Sequence, residues 1–215
     1  MTWMLFSVRC DMSNAVENEF KFTTDRHIDS TVVIDRLESF LRDHDVAYTT
    51  KKRSSVDTYF DSKNLELFNS GCSLRNKVSS NGKIKLTAKK PISSNKGVMS
   101  RKEIEKPSDG SLRSVKSFGA QIFPNIVIRD EPSLTLESER TAFYYEDEGN
   151  EIMLSFDKCR YISGRLSKEF LEIEIELMGD NEEKDFDHIG LERFITEDLS
   201  FKSVTKSKYQ RGIDW

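Results

Sequence analysis

The stretch Glu17-Asn-Glu-Phe-Lys-Phe22 (ENEFKF) alternates charged and aromatic side chains with a period of two. A strand turns successive side chains to opposite faces, so Glu17, Glu19 and Lys21 share one face and Phe20 and Phe22 the other. The spacing predicts a strand with one apolar face and one face carrying two carboxylates and an ammonium. A solvated surface strand would read the same way in isolation. The other strands decide what the charged face is for.

Sorted by parity, they repeat the pattern. SLRNKV sets Arg75 and Lys77 against Leu74, Asn76 and Val78, and KIKLTAKK sets Lys83, Lys85, Thr87 and Lys89 against Ile84, Leu86 and Ala88. SRKEIEKP lines up Arg101, Glu103 and Glu105, and EIEIEL lines up Glu172, Glu174 and Glu176 against Ile173, Ile175 and Leu177. MLSFDK puts Asp157 beside Ser155, opposite Leu154 and Phe156, and TKSKYQRG, taken as extended, puts Lys206 and Lys208 together. Half-exposed sheets usually mix signs on the wet face, because like charges on neighbouring positions repel. Here some strands are nearly pure acid and others nearly pure base. Such faces are costly unless something of opposite charge fills them.

Closing about eight strands into an antiparallel barrel, charged faces inward, resolves the cost and lets helices cover the apolar outer faces. The expected architecture is α+β, an eight-stranded antiparallel barrel with helices packed outside. Its interior is expected to be a water-filled charged tunnel in place of a packed core. Carboxylate oxygens suit hard Mg²⁺ or Mn²⁺, and a lining of Lys and Arg suits a chain of phosphates. The expected ligand is a metal-bound oligophosphate.

The rest of the chain is compatible with this. Its 215 residues, 36% apolar and 33% charged, suit a single domain over 1–215 with a real core. A net charge of −4 and a pI near 5.6 exclude a general basic field for nucleic acid. Cys10, Cys72 and Cys159 are odd in number and far apart, which suits reduced cysteines in a cytoplasmic protein. MTWMLFSV lacks a basic start and is too short for a signal or membrane span, so no membrane role is expected. Helical spacing marks about 29–45, 109–123 and 182–196, SSNG (79–82) and EDEGNE (146–151) read as hairpin connections, and ISSNKGVMS (92–100) as a Ser-rich flexible loop.

The ordered series resembles the CYTH, or triphosphate tunnel metalloenzyme, superfamily. ENEFKF matches its E-x-E-x-K signature, TYFDS (58–62) its Y-F-D turn and GCSLRNK (71–77) its L-R-x-R strand. KLTAKKP (85–91), SRKEIE (100–105), Arg140, Asp157, EIEIE (172–176) and KSKYQRG (206–212) follow in the family's order, so the likeness covers about 17–212. It implies an eight-stranded tunnel that binds triphosphates with Mg²⁺ or Mn²⁺. Carried over by position, Glu17, Glu19, Glu174 and Glu176 would be metal ligands, and with Asp157 the catalytic acids. Lys21, Arg75, Lys77, Lys85, Lys89, Arg101, Arg140, Lys208 and Arg211 would bind phosphate. Lys77 departs from the motif's second Arg, keeping the charge but losing the bidentate fork.

The leading expectation is a triphosphatase, with inorganic triphosphate as the first-choice small substrate and ATP or thiamine triphosphate as others. A class IV-type adenylyl cyclase and a non-catalytic nucleotide or polyphosphate binder are the alternatives. An RNA 5′ end is less favoured, and a monomer and a homodimer are equally compatible. Lys51 and Lys52 read as a solvated basic turn, with water activation as the alternative role. His27, His44 and His188 share no ligand spacing, and DNEEKDFD (180–187) reads as a charged helix start. Asp61 is expected to orient a neighbouring basic side chain, and Trp3 and Trp215 to pack together or play no part.

Overall fold

The computed structural model describes residues 12–24, 26–95, 98–147, 149–178 and 189–215. Eight long strands run antiparallel to their neighbours: β1 (Ser13–Thr24), β2 (Tyr48–Phe60), β3 (Ser73–Ser79), β4 (Ile84–Asn95), β5 (Val98–Pro107), β6 (Leu134–Asp147), β7 (Asn150–Ser163) and β8 (Leu166–Met178). They lie in the order β5-β4-β3-β2-β6-β7-β8-β1, and β1 also pairs with β5, which closes the barrel. A two-residue strand, β9 (Lys202–Ser203), adds to β1 at Phe22 and Thr23.

The parity reading holds around the whole barrel. Phe22, Phe143, Leu154, Phe156, Ile173 and Ile175 point outward into one core. Helix α1 (Ser30–Asp43) covers them with Val33, Leu37, Phe40 and Leu41, all at 3–4 spacing. Asp29 starts that helix by accepting the Thr31 N–H at 2.8 Å. A second core joins Leu74, Leu86 and Ala88 to Val115 and Phe118 of α3 (Leu112–Ile122), which Ser111 caps. Each such Leu or Phe contributes about 1.5–3 kcal/mol on burial. The barrel is therefore held from outside its wall.

The third core lies inside. Tyr59, Leu134, Leu136, Cys159, Tyr161 and Phe170 point inward at one end and pack with Tyr209 of α5 (Lys208–Ile213). Beside α5 sits α2 (Glu66–Asn69), whose Leu67 and Phe68 amides donate to Asp61 at 2.9 Å each. The Tyr209 hydroxyl donates to the same carboxylate at 2.8 Å. Asp61 thus ties two helices across the barrel's end and does not orient a base. The interior is not a through-tunnel: one end is a packed apolar plug.

Three further expectations change. TKSKYQRG is not extended, because Ser207 and Gln210 form a capping box and begin α5. Lys206 consequently turns out to pair with Asp214 at 2.7 Å, while Lys208 enters the barrel. Residues 92–95 continue β4 past a register shift at Pro91/Ser93 and residues 98–100 begin β5, while 96 and 97 lie outside the described residues. The helix expected over about 182–196 appears as α4 (Leu191–Arg193) running into a π turn, Phe194–Asp198. Residues 179–188, with DNEEKDFD and His188, lie outside the described residues, as do Trp3 and Cys10. Trp215 stacks on Tyr161, with ring centroids 6.3 Å apart. Among the described residues no helix is long and apolar enough to cross a membrane.

Candidate active site

Above the apolar plug the barrel encloses a cavity of about 520 Å³. Ten basic and eight acidic side chains line it, an excess of positive charge that favours a polyanion over a cation alone. Every expected site residue except Arg211 reaches this cavity: Glu17, Glu19, Lys21, Arg75, Lys77, Lys85, Lys89, Arg101, Arg140, Asp157, Glu174, Glu176 and Lys208. Arg211, on α5, stands at the plug, bonded to Glu172, with its guanidinium 4.9 Å from the Phe170 ring centroid.

The strand register puts like charges directly side by side. Glu19 lies opposite Glu176, Asp157 opposite Glu172, Lys77 opposite Lys85, and Arg53 opposite Arg140. Such pairs destabilise a sheet. The barrel tolerates them through ion pairs between neighbouring strands and with α5, most completely at the closed end.

There, Asp157, Glu172 and Glu174 bring carboxylate oxygens within 4.8 Å of one another. The Lys208 ammonium sits among them, 2.6 Å from Asp157, 2.6 Å from Glu172 and 3.1 Å from Glu174. Arg140 grips both oxygens of Asp157 at 2.6 Å each and also bonds Glu174. Burial works against ionised carboxylates, yet Lys208, Lys21 and Arg140 together hold Glu174 well below the usual range, and Arg140 with Lys208 lowers Asp157. With Arg211 on Glu172, four cations face these three carboxylates, one of them, Lys21, shared with Glu19. This cluster is neutralised by the protein itself.

Toward the open end the balance loosens. Lys21 bonds Glu174 and lies 2.7 Å from Glu19, which Arg101 also holds. Lys89 bonds Glu17 and lies 2.6 Å from Glu103, Lys85 lies 2.7 Å from Glu105, and Arg75 lies 3.2 Å from Asp57. Glu176 and Lys77 are two of the lining groups without an ion-pair partner among the described residues. Burial and the neighbouring Glu17 push the Glu176 carboxyl up to about 7. Burial and the Arg75 charge pull the Lys77 ammonium down to about 8. A buried carboxylate pressed among other carboxylates is the mark of a place for a cation. Glu176, Glu17 and Glu19 offer the oxygen donors that Mg²⁺ or Mn²⁺ takes, with Glu17 and Glu19 also paired to Lys89, Lys21 and Arg101, whereas Asp157, Glu172 and Glu174 bring their oxygens within 4.8 Å of one another and are held by Lys208, Arg140 and Arg211.

Several lining residues were not in the expected set. Arg53 and Asp57 share inward parity with Tyr59 in KRSSVDTYF, a signal obscured by the run of serines. Lys51 and Lys52 lie within β2, not in a turn, and both are exposed. Lys51 has the inward parity and stands 4.7 Å from the Tyr144 ring centroid. His44 bonds the Phe40 carbonyl at the end of α1, away from the cavity.

Comparison with known proteins agrees with this architecture. Residues 19–209 match the CYTH domain, so the chain belongs to the CYTH family, whose members are typically metal-dependent enzymes acting on triphosphates. HpAC1 from Hippeastrum, a candidate adenylyl cyclase with a dominant triphosphatase activity, shares the fold at a TM-score of 0.57 and 18% identity, covering 91% of this chain and 95% of its own. PH1819 from Pyrococcus horikoshii aligns at a TM-score of 0.52 and 17% identity, covering 90% and 95%. A candidate adenylate cyclase from Bacillus halodurans aligns at 0.50 and 18%, covering 92% and 97%. No curated protein sequence matches the chain.

Proposed function

We propose that this CYTH-domain protein is a metal-dependent phosphohydrolase that removes the terminal phosphate of a triphosphate. The observation carrying this reading is the division of the cavity wall. Lys77, Lys85, Arg75 and Arg53 come from β2, β3 and β4, while Glu17, Glu19 and Glu176 come from β1 and β8. A phosphate chain lying between those walls meets donors on one side and a divalent cation's ligands on the other. Glu17, Glu19 and Glu176, with Glu174, would hold Mg²⁺ or Mn²⁺. When bound, the cation supplies Lewis-acid neutralisation of phosphate oxygens.

The chain's own residues do the positioning. Lys208 and Arg140 stand at the closed end, where a terminal phosphate would arrive. Lys77, without a carboxylate partner, is free to donate to a bridging or non-bridging phosphate oxygen. In-line attack by water forms one P–O bond and breaks the bridging P–O bond, releasing orthophosphate and the shortened chain. Charge on the transferred group and on the leaving oxygen is stabilised by the arginines and lysines, the main contribution a protein makes to phosphoryl transfer. The dominant triphosphatase activity of the fold neighbour HpAC1 supports the same reading.

Product analysis by anion-exchange chromatography tests it. The protein is incubated with inorganic triphosphate, ATP or thiamine triphosphate, with Mg²⁺, with Mn²⁺ and with chelator. Metal-dependent orthophosphate release is expected. Cyclic AMP and pyrophosphate from ATP would replace the proposal with a cyclase, and tight binding without turnover would replace it with a binding protein.

A further inference from the structure

We propose that Asn81–Gly82, in the connection between β3 and β4, is a site of spontaneous self-modification: the asparagine deamidates, and the carboxylate that replaces it weakens capture of a polyanion by the cavity. The chemistry of the turn is independent of any hydrolysis, while its consequence rests on the preceding reading of the basic wall.

Asparagine followed by glycine is the pair in which the backbone reaches the side chain most easily, because glycine has no Cβ to shield its nitrogen or restrict its torsions. The chain contains one such pair. Both residues are exposed, Gly82 has φ +78°, and a Cβ there would meet nothing within 4 Å. The turn is closed by the Ser79 N–H donating to the Lys83 carbonyl and the Gly82 N–H donating to the Ser79 carbonyl, each at 2.9 Å. The Lys83 N–H donates to Asn81 Oδ1 at 3.1 Å. This last bond holds the side-chain carbonyl against the backbone that follows it and gives a donor to the oxygen on which charge develops during attack. The bond that must open is Gly82's own, and a bond at an exposed hairpin tip opens at little cost.

The step needs water alone as co-reactant. The Gly82 nitrogen loses its proton and attacks Asn81 Cγ. A new C–N bond closes a five-membered succinimide as the Cγ–Nδ2 bond breaks, and the departing amine takes up a proton and leaves as ammonia. Water then opens either carbonyl of the ring, giving aspartate or isoaspartate at that position, each with one new negative charge. Asp109–Gly110 could close the same ring but is protected. Hydrogen bonds from the Ser114 hydroxyl and the Ser111 amide hold the Asp109 carboxyl low, at about 2, so it stays an ionised, poor electrophile. Gly110 is also packed, since a Cβ there would meet Ile84 at 3.4 Å. The charge matters because of where it falls. Asn81 lines the cavity with Ser79, Ser80 and Lys83, on the same side as Lys77 and Lys85, so a carboxylate there offsets the field that draws in phosphate.

The full chain is aged in warm, mildly alkaline buffer, digested with trypsin and followed by mass spectrometry. The mass increase of an amide-to-acid exchange is expected in peptide 78–83, with isoaspartate there and none in the peptide that carries Asp109. Calorimetric titration with Mg²⁺ and the non-hydrolysable analogue diimidotriphosphate should show the aged protein binding about threefold more weakly at low salt, with the difference shrinking at high salt. Asn81→Asp should reproduce that loss without ageing. Asn81→Gln, whose longer side chain would have to close a six-membered ring, should hold its own affinity through the same treatment. Peptide 78–83 unchanged under conditions that deamidate the same peptide free in solution would overturn the proposal, as would a mass increase that leaves the affinity of the fresh protein intact. If the fresh protein hydrolyses no triphosphate while its affinity still falls on ageing, the site stands and the hydrolase reading falls.

Discussion

Lys208→Met isolates the ionic cluster at the closed end. The ammonium contacts Asp157, Glu172 and Glu174 at 2.6, 2.6 and 3.1 Å, and its side chain is 10% exposed. Methionine keeps the apolar stem and removes the charge, leaving Arg140, Arg211 and Lys21, which Glu19 shares, to face three buried carboxylates. Removing one partner from a buried ion pair costs about 3–5 kcal/mol, because the surviving charge is left uncompensated. At pH 7.5 the variant should therefore be less stable by about 4 kcal/mol, which at a urea m-value of about 2 kcal/mol/M lowers the midpoint by about 2 M. The deficit carries a pH signature. With a cation gone, one carboxyl of the cluster titrates above its unfolded value of about 4. The folded variant then holds a proton that the unfolded chain lacks, so its stability rises as pH falls from that raised pKa toward about 4. In the wild type the cluster behaves oppositely, since Asp157 and Glu174 are held low and lose stability only below about pH 4. Urea unfolding of both proteins at pH 7.5, 6 and 5 should show a large gap that narrows with acid. A cost under about 1 kcal/mol at pH 7.5, or a gap that does not narrow, would refute the charge balance drawn here.

Gly212 of α5 packs so closely that a Cβ there would sit 2.3 Å from Leu134 and 2.8 Å from Tyr161, so Gly212→Val should unseat the plug, costing about 1–3 kcal/mol in thermal or chemical unfolding. Arg75→Ala removes a charged donor from the basic wall and should weaken triphosphate binding about tenfold to a hundredfold by calorimetry, with the fold retained by circular dichroism. Burial raises the Cys159 thiol to about 12, so about one molecule in ten thousand is thiolate at pH 8. Peptide mapping after brief alkylation of the native protein should find Cys159 unmodified and half-buried Cys72 labelled.

The barrel was legible because alternation survives in β1, β3, β4 and β8, where charged and apolar residues largely trade places, and one face of β5 lines up Arg101, Glu103 and Glu105. Reading the charged face as interior required noticing that acids and bases segregate by strand, which a solvated sheet has no reason to do. The reading failed where periods coincide over short stretches. In TKSKYQRG the two lysines at i and i+2 mimic a strand, although Ser207 and Gln210 three residues apart already spell a helix start. The serine content of 92–100 predicts a loop, yet 92–95 belong to β4 and 98–100 to β5, paired through backbone groups that composition does not encode. Tyr144 was hidden because AFYY is apolar on both parities: Phe143 and Tyr145 face the outer core, and only Tyr144 and Ala142 face inward. Glu172 was read on the correct face but left out of the site, since its partners Lys208 and Arg211 come from an element the sequence had placed in a strand.

Stability and ligand capture are carried by different surfaces of the same wall. The aliphatic residues that α1 and α3 cover face away from the cavity, so changes to the inner charges do not open holes in those cores. The closed end combines the two demands, because Lys208 belongs to a buried ionic cluster and, on the proposed reading, also meets an arriving terminal phosphate. A phosphate that bonds Lys208 must compete with three carboxylates for its protons, which raises the cost of binding an anion there alone. Nearer the mouth, Glu176 without a cation and Lys77 without an anion are each left short of a partner in the empty protein. A divalent cation answers the first and a phosphate the second, and brought together as one complex they also neutralise each other. The empty cavity is accordingly expected to bind metal and triphosphate with positive coupling: titrating triphosphate with and without Mg²⁺, and Mg²⁺ with and without diimidotriphosphate, should give the same factor of enhancement from both directions. Independent binding of the two would mean that Glu176 and Lys77 are served by separate occupants, and the two walls would have to be read as two sites.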